Sequence, residues 1–269
     1  GSPSGLAVAG NYVYVATGMN LTVADVADRR HPRTVREIVT AGRPVSLSIA
    51  GATLYLADTY SLGLYSLSDP AAPQRVGAFA GGGAVIDVAA AGGRAYVLDG
   101  STLRILNVAD AARPAQMWQG EVAGEPSSLA FAAGHAYVAA GGAGLQIAAV
   151  AHPFTPYEVS SATPSAETVR VVGRYAYVAA YSGLHVLDLV DPAHPKEVGF
   201  CDVGDNVMDV AIDGQLAVVA ADHAGVFFLD ISNPTKPRIV RQHDTPGHAF
   251  GVALQGRYLY VADYEQGLQ

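Results

Sequence analysis

The chain has 269 residues, a formal net charge of −8 at pH 7, 30 glycines, 15 prolines and one cysteine, Cys201. The acidic balance argues against nucleic acid as a partner, because neutralising phosphates needs a surplus of lysine and arginine. A single cysteine excludes an internal disulfide and a cysteine-rich metal site. No apolar run approaches the roughly 20 residues that span a bilayer, so no membrane insertion is expected in this segment. The expected partner is a protein or a small polar ligand.

A tyrosine recurs along the chain at an almost fixed interval. Its positions, with valine once in its place, are Tyr14, Tyr55, Tyr96, Tyr137, Tyr177, Val218 and Tyr260. The successive spacings are 41, 41, 41, 40, 41 and 42 residues. No unit carries an amphipathic helical run, and every unit has proline and glycine where a helix would have to pass. This period is therefore typical of the blades of a β-propeller.

Each unit predicts four short antiparallel strands. The first has small apolar residues, as in Leu6-Ala-Val-Ala, and a glycine-containing turn leads to the Tyr-x-Tyr-Val-Ala second strand. The third strand ends in a proline-rich loop such as Asp191-Pro-Ala-His-Pro195. A short fourth strand, for example Arg75-Val-Gly-Ala, leads to the next unit.

The number of blades follows from the strands at the two ends of the chain. The sequence contains seven first strands and seven second strands, but only six complete third and fourth strands. It therefore predicts an all-β, seven-bladed β-propeller whose last blade is incomplete in this chain, and the natural protein is expected to continue past residue 269. Residues 1–269 are expected to form a single propeller domain of about 41-residue repeats. The repeat tyrosines are expected to pack between blades.

The units resemble a known repeat family. Leu184-His-Val-Leu-Asp188, its counterpart Val226-Phe-Phe-Leu-Asp-Ile231 and the Asp-Pro-x-x-Pro-x-x-Val-Gly continuation are similar to LVIVD repeats. The similarity is strongest around residues 173–240 and weakest near residues 134–170. The resemblance implies a β-propeller of the kind found in bacterial and archaeal surface or exported proteins. It therefore implies an extracellular, cell-surface or periplasmic location, and it brings no catalytic residues.

Candidate binding residues occupy positions that share a phase within the repeat, so they are expected on one face of the propeller, at the channel mouth. Two phases lie before the first strand, twelve and nine residues before the repeat tyrosine. A third group lies in the loops between second and third strands. The candidates are Arg43, Glu125, Asn206 and His248 in the first phase, Asp87 and Asp209 in the second, and Tyr181, Asp222, His223 and Glu265 in the loops. Their identities differ between blades, as an asymmetric ligand would need.

Two kinds of role remain open for these residues. Asp87 and Asp209 precede a strand, where aspartate commonly accepts backbone N–H bonds and caps a turn, so each is either a cap or a ligand contact. Asp222-His223 beside Tyr264-Glu265 forms a rim of carboxylate and imidazole groups that can bind a divalent cation or transfer protons. Their spacing matches no metal motif, so neither a metal site nor a cofactor is predicted.

Two functions from different classes fit these observations. The first is a non-catalytic extracellular or periplasmic binding propeller with its ligand at the channel mouth. The alternative is a propeller hydrolase or lyase at the same mouth, using Asp87, Glu125, Asp209, Asp222 or His248. The sequence has no Gly-x-Ser-x-Gly elbow and no phosphate-binding glycine loop. The binding module is favoured, because no catalytic constellation can be identified.

Overall fold

The computed structural model describes residues 3–150, 157–162, 165–181, 183–255 and 258–269. These residues form short antiparallel strands, and the one helical element among them is a 3-10 turn at Tyr264–Gln266. No helix in this part of the chain is long and apolar enough to cross a bilayer. The predicted all-β fold is confirmed.

The chain divides into two compact units, residues 1–121 and residues 122–269. The described residues of the first unit form three four-stranded antiparallel sheets, each made of four consecutive strands. The strands are β1 (Pro3–Ala9), β2 (Tyr12–Thr17), β3 (Asn20–Asp25), β4 (Arg33–Val39), β5 (Pro44–Ala50), β6 (Thr53–Asp58), β7 (Leu62–Ser66), β8 (Gln74–Phe79), β9 (Val85–Ala91), β10 (Arg94–Asp99), β11 (Thr102–Asn107) and β12 (Ala115–Glu121).

The described residues of the second unit form three four-stranded sheets and one three-stranded sheet. The strands are β13 (Ser128–Ala132), β14 (His135–Ala139), β15 (Leu145–Ala149), β16 (Tyr157–Ala162), β17 (Thr168–Val172), β18 (Tyr175–Ala180), β19 (Gly183–Asp188), β20 (Lys196–Asp202), β21 (Asp209–Asp213), β22 (Leu216–Ala220), β23 (Val226–Asp230), β24 (Arg238–His243), β25 (Ala249–Gln255), β26 (Tyr258–Asp263) and β27 (Gly267–Leu268).

Seven sheets for seven repeats make the fold a seven-bladed β-propeller, as the sequence predicts. The first unit carries blades 1–3 and the second carries blades 4–7. Blade 7 consists of β25, β26 and the two-residue β27, which agrees with the expectation of an incomplete last blade. Within every blade the strands pair in sequence order, so the loops between second and third strands recur at equivalent places in each sheet.

The repeat tyrosines are buried, and four of them pack against the following blade within their unit. The five predicted to be buried are all less than 9% exposed, namely Tyr55, Tyr96, Tyr137, Tyr177 and Tyr260. In blade 1, Tyr14 packs against Leu54 and Leu56 of the next blade, and its hydroxyl donates a 2.9 Å hydrogen bond to the carbonyl of Pro70. Burial raises the pKa of Tyr14 to about 12. Tyr55, Tyr137 and Tyr177 likewise share an apolar cluster with the following blade.

The glycine of the fourth strand makes a second contact between blades. A Cβ added to Gly77 would overlap the carbonyl oxygen of Ala111, in the proline-rich loop of the next blade. A Cβ added to Gly199 would overlap the carbonyl oxygen of Pro234 in the same way. These backbones approach so closely that only glycine fits without a shift. The Val-Gly pair of the repeat therefore has a packing role.

Candidate functional site

Asp87 joins two neighbouring blades of the first unit. Its carboxylate accepts a short hydrogen bond from the hydroxyl of Ser46, which lies on β5, while Asp87 itself lies on β9. The same carboxylate accepts the backbone N–H of Val88 at 2.8 Å. Asp87 therefore caps its own strand and holds the preceding blade, in agreement with the capping alternative.

Asp209 makes a more extensive junction in the second unit. Its carboxylate, on β21, accepts a 2.9 Å hydrogen bond from the Arg170 guanidinium of β17 and a 3.1 Å hydrogen bond from the backbone N–H of Val252 in β25. It also caps the N–H of Val210 at 2.8 Å. Burial raises the pKa of Asp209, whereas the Arg170 charge and the two backbone amides oppose that rise. Asp209 therefore links three successive blades.

Three predicted contact residues have exposed side chains, namely Arg43 in the first unit and Glu125 and Asn206 in the second. Tyr181, also exposed, shares a hydrogen bond with Glu167, and the charge of Glu125 also reaches its hydroxyl. The Glu167 carboxylate, by its charge and a hydrogen bond, raises the pKa of the Tyr181 hydroxyl, and Glu125 adds a smaller effect of the same sign. A partly exposed carboxylate hydrogen-bonded to an exposed phenol can contact a polar ligand.

Five residues of blades 6 and 7 form a second group, which we call the His–aromatic patch: Asp222, His223, His248, Phe250 and Tyr264. The two Asp222 carboxylate oxygens face different imidazoles, with Oδ2 3.0 Å from His223 Nδ1 and Oδ1 3.0 Å from His248 Nδ1. The two imidazole rings lie 4.1 Å apart between centroids. One potential ligand atom from each of Asp222, His223 and His248 lies within 4.8 Å of the other two.

The aromatic half of the patch extends from His248. The Phe250 ring is nearly parallel to the His248 ring, with 6.5 Å between centroids and 8° between planes. Tyr264 lies 5.4 Å from Phe250 and 6.3 Å from His248. Phe250 and Tyr264 are 37% and 42% exposed, and the His223 side chain is 68% exposed. The patch therefore presents apolar rings and nitrogen and oxygen donors to solvent side by side.

The backbone at the patch is strained in two places. Asp222 has φ = +38° and Tyr264 has φ = +29°, in a region that non-glycine residues rarely occupy. The repeat places both four residues after the reference position, where three other blades have glycine with positive φ, at Gly18, Gly100 and Gly141. Such a backbone costs about 1–3 kcal/mol for a non-glycine residue and is concentrated at functional sites. Two blades therefore carry side chains where glycine would be less strained.

Three of the predicted candidates meet in the patch, and other members were not predicted. Asp222, His223 and His248 come from two different phases of the repeat and are brought together by neighbouring blades. Glu265 lies by its backbone in the 3-10 turn, and its side chain is outside the described residues. Phe250 was not predicted, although it stands two residues after His248 at the beginning of the same strand. Glu167 and Arg170 were also missed; Arg170 makes its contact with Asp209 in the next blade, whereas Glu167 meets Tyr181 within its own blade.

The patch combines groups that can ligate a metal ion, pack on a partner and transfer protons. Imidazole nitrogens and a carboxylate are ligands for borderline divalent cations, while the neighbouring aromatic rings can pack on an apolar or cationic group. The same imidazole and carboxylate groups are capable of proton transfer.

Fold and repeat together define a β-propeller built from one recurring module, and the module identifies the family. The LVIVD repeat model matches residues 1–40, 165–203, 204–245 and 246–269. These segments make up more than half of the chain, so this protein belongs to the LVIVD repeat family. No curated protein has a significant sequence match to the chain.

Similar solved structures share the fold at low sequence identity. The β-propeller domain of Cps50 (Swd1) from Myceliophteria thermophila is 13% identical with a TM-score of 0.80, over 100% of this chain and 95% of that one. A functionally unknown protein from Desulfotomaculum acetoxidans is 13% identical with a TM-score of 0.77, over 89% and 84%. The computationally designed protein Ika8 is 9% identical with a TM-score of 0.74, over 99% and 95%. Identities this low support the fold alone.

Proposed function

We propose that this protein is a non-catalytic interaction propeller, and that its partner, an exported protein or a small polar ligand, docks on the His–aromatic patch. The observation that carries the proposal is the exposure of four neighbouring rings, those of His223, His248, Phe250 and Tyr264. Aromatic residues are enriched where proteins bind partners, because a large rigid ring gains contact area at little cost in conformational entropy.

The contacts of the carboxylates that a hydrolase or lyase would use also favour a non-catalytic function. Asp87 and Asp209 are engaged by residues of adjacent blades, and this favours a part in holding blades together over attack on a substrate. Asp222 and His248 are two proposed catalytic residues whose groups meet, with 3.0 Å between Asp222 Oδ1 and His248 Nδ1. An enzyme would need further groups converging on that pair to stabilise charge in the transition state.

We further propose that the protein acts outside the cytoplasm, at the cell surface or in the periplasm. Membership of the LVIVD repeat family supports this location, since the family resembles surface and exported propellers. Fractionation of cells that express the full-length protein tests it directly. Recovery from the cytoplasmic fraction alone would contradict the proposed location.

Site-specific photo-crosslinking tests the docking surface. A photo-reactive phenylalanine derivative is placed at position 264 in the full-length protein within its native cell fraction. The matched control is position 240 in the outer strand β24, where Val240 is 50% exposed. We expect a discrete crosslinked product from position 264, none from position 240, and a weaker product when Phe250→Ala is added. Equal crosslinking at the two positions would contradict docking on the patch.

Two further measurements cover a small ligand and the enzymatic alternative. Saturation-transfer NMR with soluble glycans and amino acids should detect a small ligand whose signal is lost in Tyr264→Ala. Assays with chromogenic esters, glycosides and an unsaturation assay for lyases are expected to give no turnover. Turnover that Asp222→Asn abolishes would replace the binding module by the hydrolase or lyase.

A further inference from the structure

We infer that Asp222, His223 and His248 form a binding site for a borderline divalent transition ion such as Zn²⁺. The inference deepens the proposed function and rests on it, because both assign binding to the His–aromatic patch. The three side chains come from two blades, Asp222 and His223 from the loop after β22 and His248 from the loop before β25. Their sequence spacing matches no common metal motif, and only the contact between blades 6 and 7 brings them together.

The donor geometry is close to that of a three-ligand site. Bonds of about 2.0–2.2 Å from zinc to nitrogen and oxygen place the ligand atoms of a tetrahedral site roughly 3.3 Å apart. In this protein each imidazole Nδ1 lies 3.0 Å from an Asp222 oxygen, and all three potential ligand atoms lie within 4.8 Å of one another. Small side-chain rotations therefore suffice for all three atoms to reach one ion.

The donor set selects the class of ion. Two imidazoles and one carboxylate suit Zn²⁺, Co²⁺ or Ni²⁺, whereas Mg²⁺ and Ca²⁺ prefer sites made of oxygen atoms alone. Three protein ligands leave at least one coordination position for water or for a group from outside the chain. Because His223 is 68% exposed, that position is accessible to a partner. A bound ion would thus offer a coordination contact next to the rings of Phe250 and Tyr264.

The backbone gives an independent reason to assign a role to Asp222. Its φ of +38° belongs to a turn that Gly141 adopts in blade 4 with φ = +54°. Both residues are bridged to the beginning of the next blade, Gly141 to Ala166 and Asp222 to Ala249. Glycine therefore satisfies this turn, and the strain at Asp222 needs a reason other than the fold. Its carboxylate, held between two imidazoles, is that reason.

The test is metal binding by protein without a histidine tag. After removal of metal by a chelator, Zn²⁺ is titrated calorimetrically, with Mg²⁺ as the comparison ion, and Co²⁺ is followed by its visible ligand-field absorption. We expect one Zn²⁺ per chain, no Mg²⁺ binding, and a Co²⁺ spectrum of low coordination number. Zn²⁺ should also raise the unfolding temperature, because an ion that binds only the folded state stabilises it.

Two substitutions each remove one ligand and introduce the residue that stands at the equivalent position two repeats earlier. Asp222→Gly and His248→Ser copy Gly141 and Ser165, and each should weaken Zn²⁺ binding at least about tenfold, since loss of even an outer-shell partner commonly costs that much. Asp222→Gly should leave the unfolding temperature of the metal-free protein unchanged or higher. If His248→Ser fails to fold, His223→Ala at an exposed position replaces it.

Two control variants should keep the site. Tyr60→Ala changes an exposed residue of the first unit and leaves all three ligands. His194→Ala removes an imidazole that lies 2.8 Å from Asp191 in a proline-rich loop of blade 5. The inference is overturned if the wild type does not bind Zn²⁺, or if Asp222→Gly with His248→Ser binds it as tightly as the controls. Zn²⁺ binding without crosslinking from position 264 would contradict the proposed docking function and would still support the metal site.

Discussion

Two loops of the second unit, residues 140–144 and 221–225, have the same backbone and different side chains. In both, the fourth residue donates its N–H to the carbonyl of the first, at 3.0 Å in blade 4 and 2.8 Å in blade 6. In both, the second residue has positive φ and is bridged to the next blade. The two loops differ at two positions, where blade 4 has Gly141 and Gly142 and blade 6 has Asp222 and His223. At the equivalent position before the next blade, Ser165 stands in the first case and His248 in the second.

This comparison separates what the repeat provides from what the individual blade adds. The backbone of the loop and its bridge to the next blade are properties of the module, because they persist when the side chains are glycine. Binding chemistry is a property of three side chains placed on that backbone. A blade can therefore gain or lose a site while its turn stays as it is.

The largest expected effect comes from introducing the three proposed metal ligands at the equivalent positions of the blade 4 loop and of the segment that follows it. The triple variant Gly141→Asp, Gly142→His, Ser165→His places the same donors on the equivalent backbone. We expect the number of bound Zn²⁺ ions to rise from one to two per chain, because the shared bridge between blades should bring the new donors together. Calorimetric titration with elemental analysis measures it. A folded triple variant that still binds one ion would show that the two loops differ in more than these side chains.

The next largest effect concerns the buried residue at the reference position of the repeat, four residues before the residue with positive φ in each loop. Blade 4 has the buried Tyr137 at the repeat position, packed with Val169 of the next blade, whereas blade 6 has Val218. Tyr137→Ala should lower the free energy of unfolding by about 3–5 kcal/mol, as for other buried aromatic truncations. Urea unfolding measures this loss, and Tyr60→Ala at a 69% exposed site is the control. A loss below about 0.5 kcal/mol, typical of an exposed site, would place Tyr137 on the wrong face.

A smaller effect tests the strained turn in each loop. Gly141→Ala should destabilise the protein by about 1–2 kcal/mol, because a Cβ is unfavourable in the left-handed region. The added Cβ would also stand 3.3 Å from the carbonyl oxygen of Glu125. In the metal-free protein Asp222→Gly should cost nothing, since it removes such strain. Equal losses for the two variants in urea unfolding would mean that the turns are not equivalent.

The smallest effect belongs to the position next to that turn. A Cβ added to Gly142 would meet no atom within 4 Å, and Gly142 is not among the residues with positive φ. Gly142→Ala should therefore change the free energy of unfolding by less than about 0.5 kcal/mol, as expected for an open surface site. Thermal unfolding of the variant beside Gly141→Ala provides the measurement. A large loss would indicate a contact at this position and would exclude free exchange of glycine for histidine.

Much of the fold could be read from the sequence because the repeat is regular. Each spacing of 40–42 residues carries one buried aromatic or valine, so the number of blades follows from counting. The phase within the repeat also fixes the end of the blade on which a loop lies. Asp222, His223 and His248 could thus be assigned to one face before their distances were known.

The contacts between blades could not be read in the same way. Whether Asp209 faces solvent or meets Arg170 and Val252 depends on the rotation of one sheet against the next, which periodicity does not encode. The positive φ of Asp222 is equally invisible, because aspartate is common in turns of several types. The proposed metal site depends on both features, and no sequence motif encodes either of them.

The glycine of the fourth strand determines where chimeric propellers can be joined. Gly199 belongs to blade 5, but the Pro234 carbonyl that requires it belongs to blade 6. If a blade is exchanged as a segment that ends at the boundary between these blades, Gly199 is separated from the carbonyl against which it packs. A donor blade whose proline-rich loop has another shape would then meet a host glycine matched to the original loop. Segments exchanged among relatives should therefore begin just before a fourth strand and end after the proline-rich loop of the following blade, so that each glycine is inherited together with the loop that it fits.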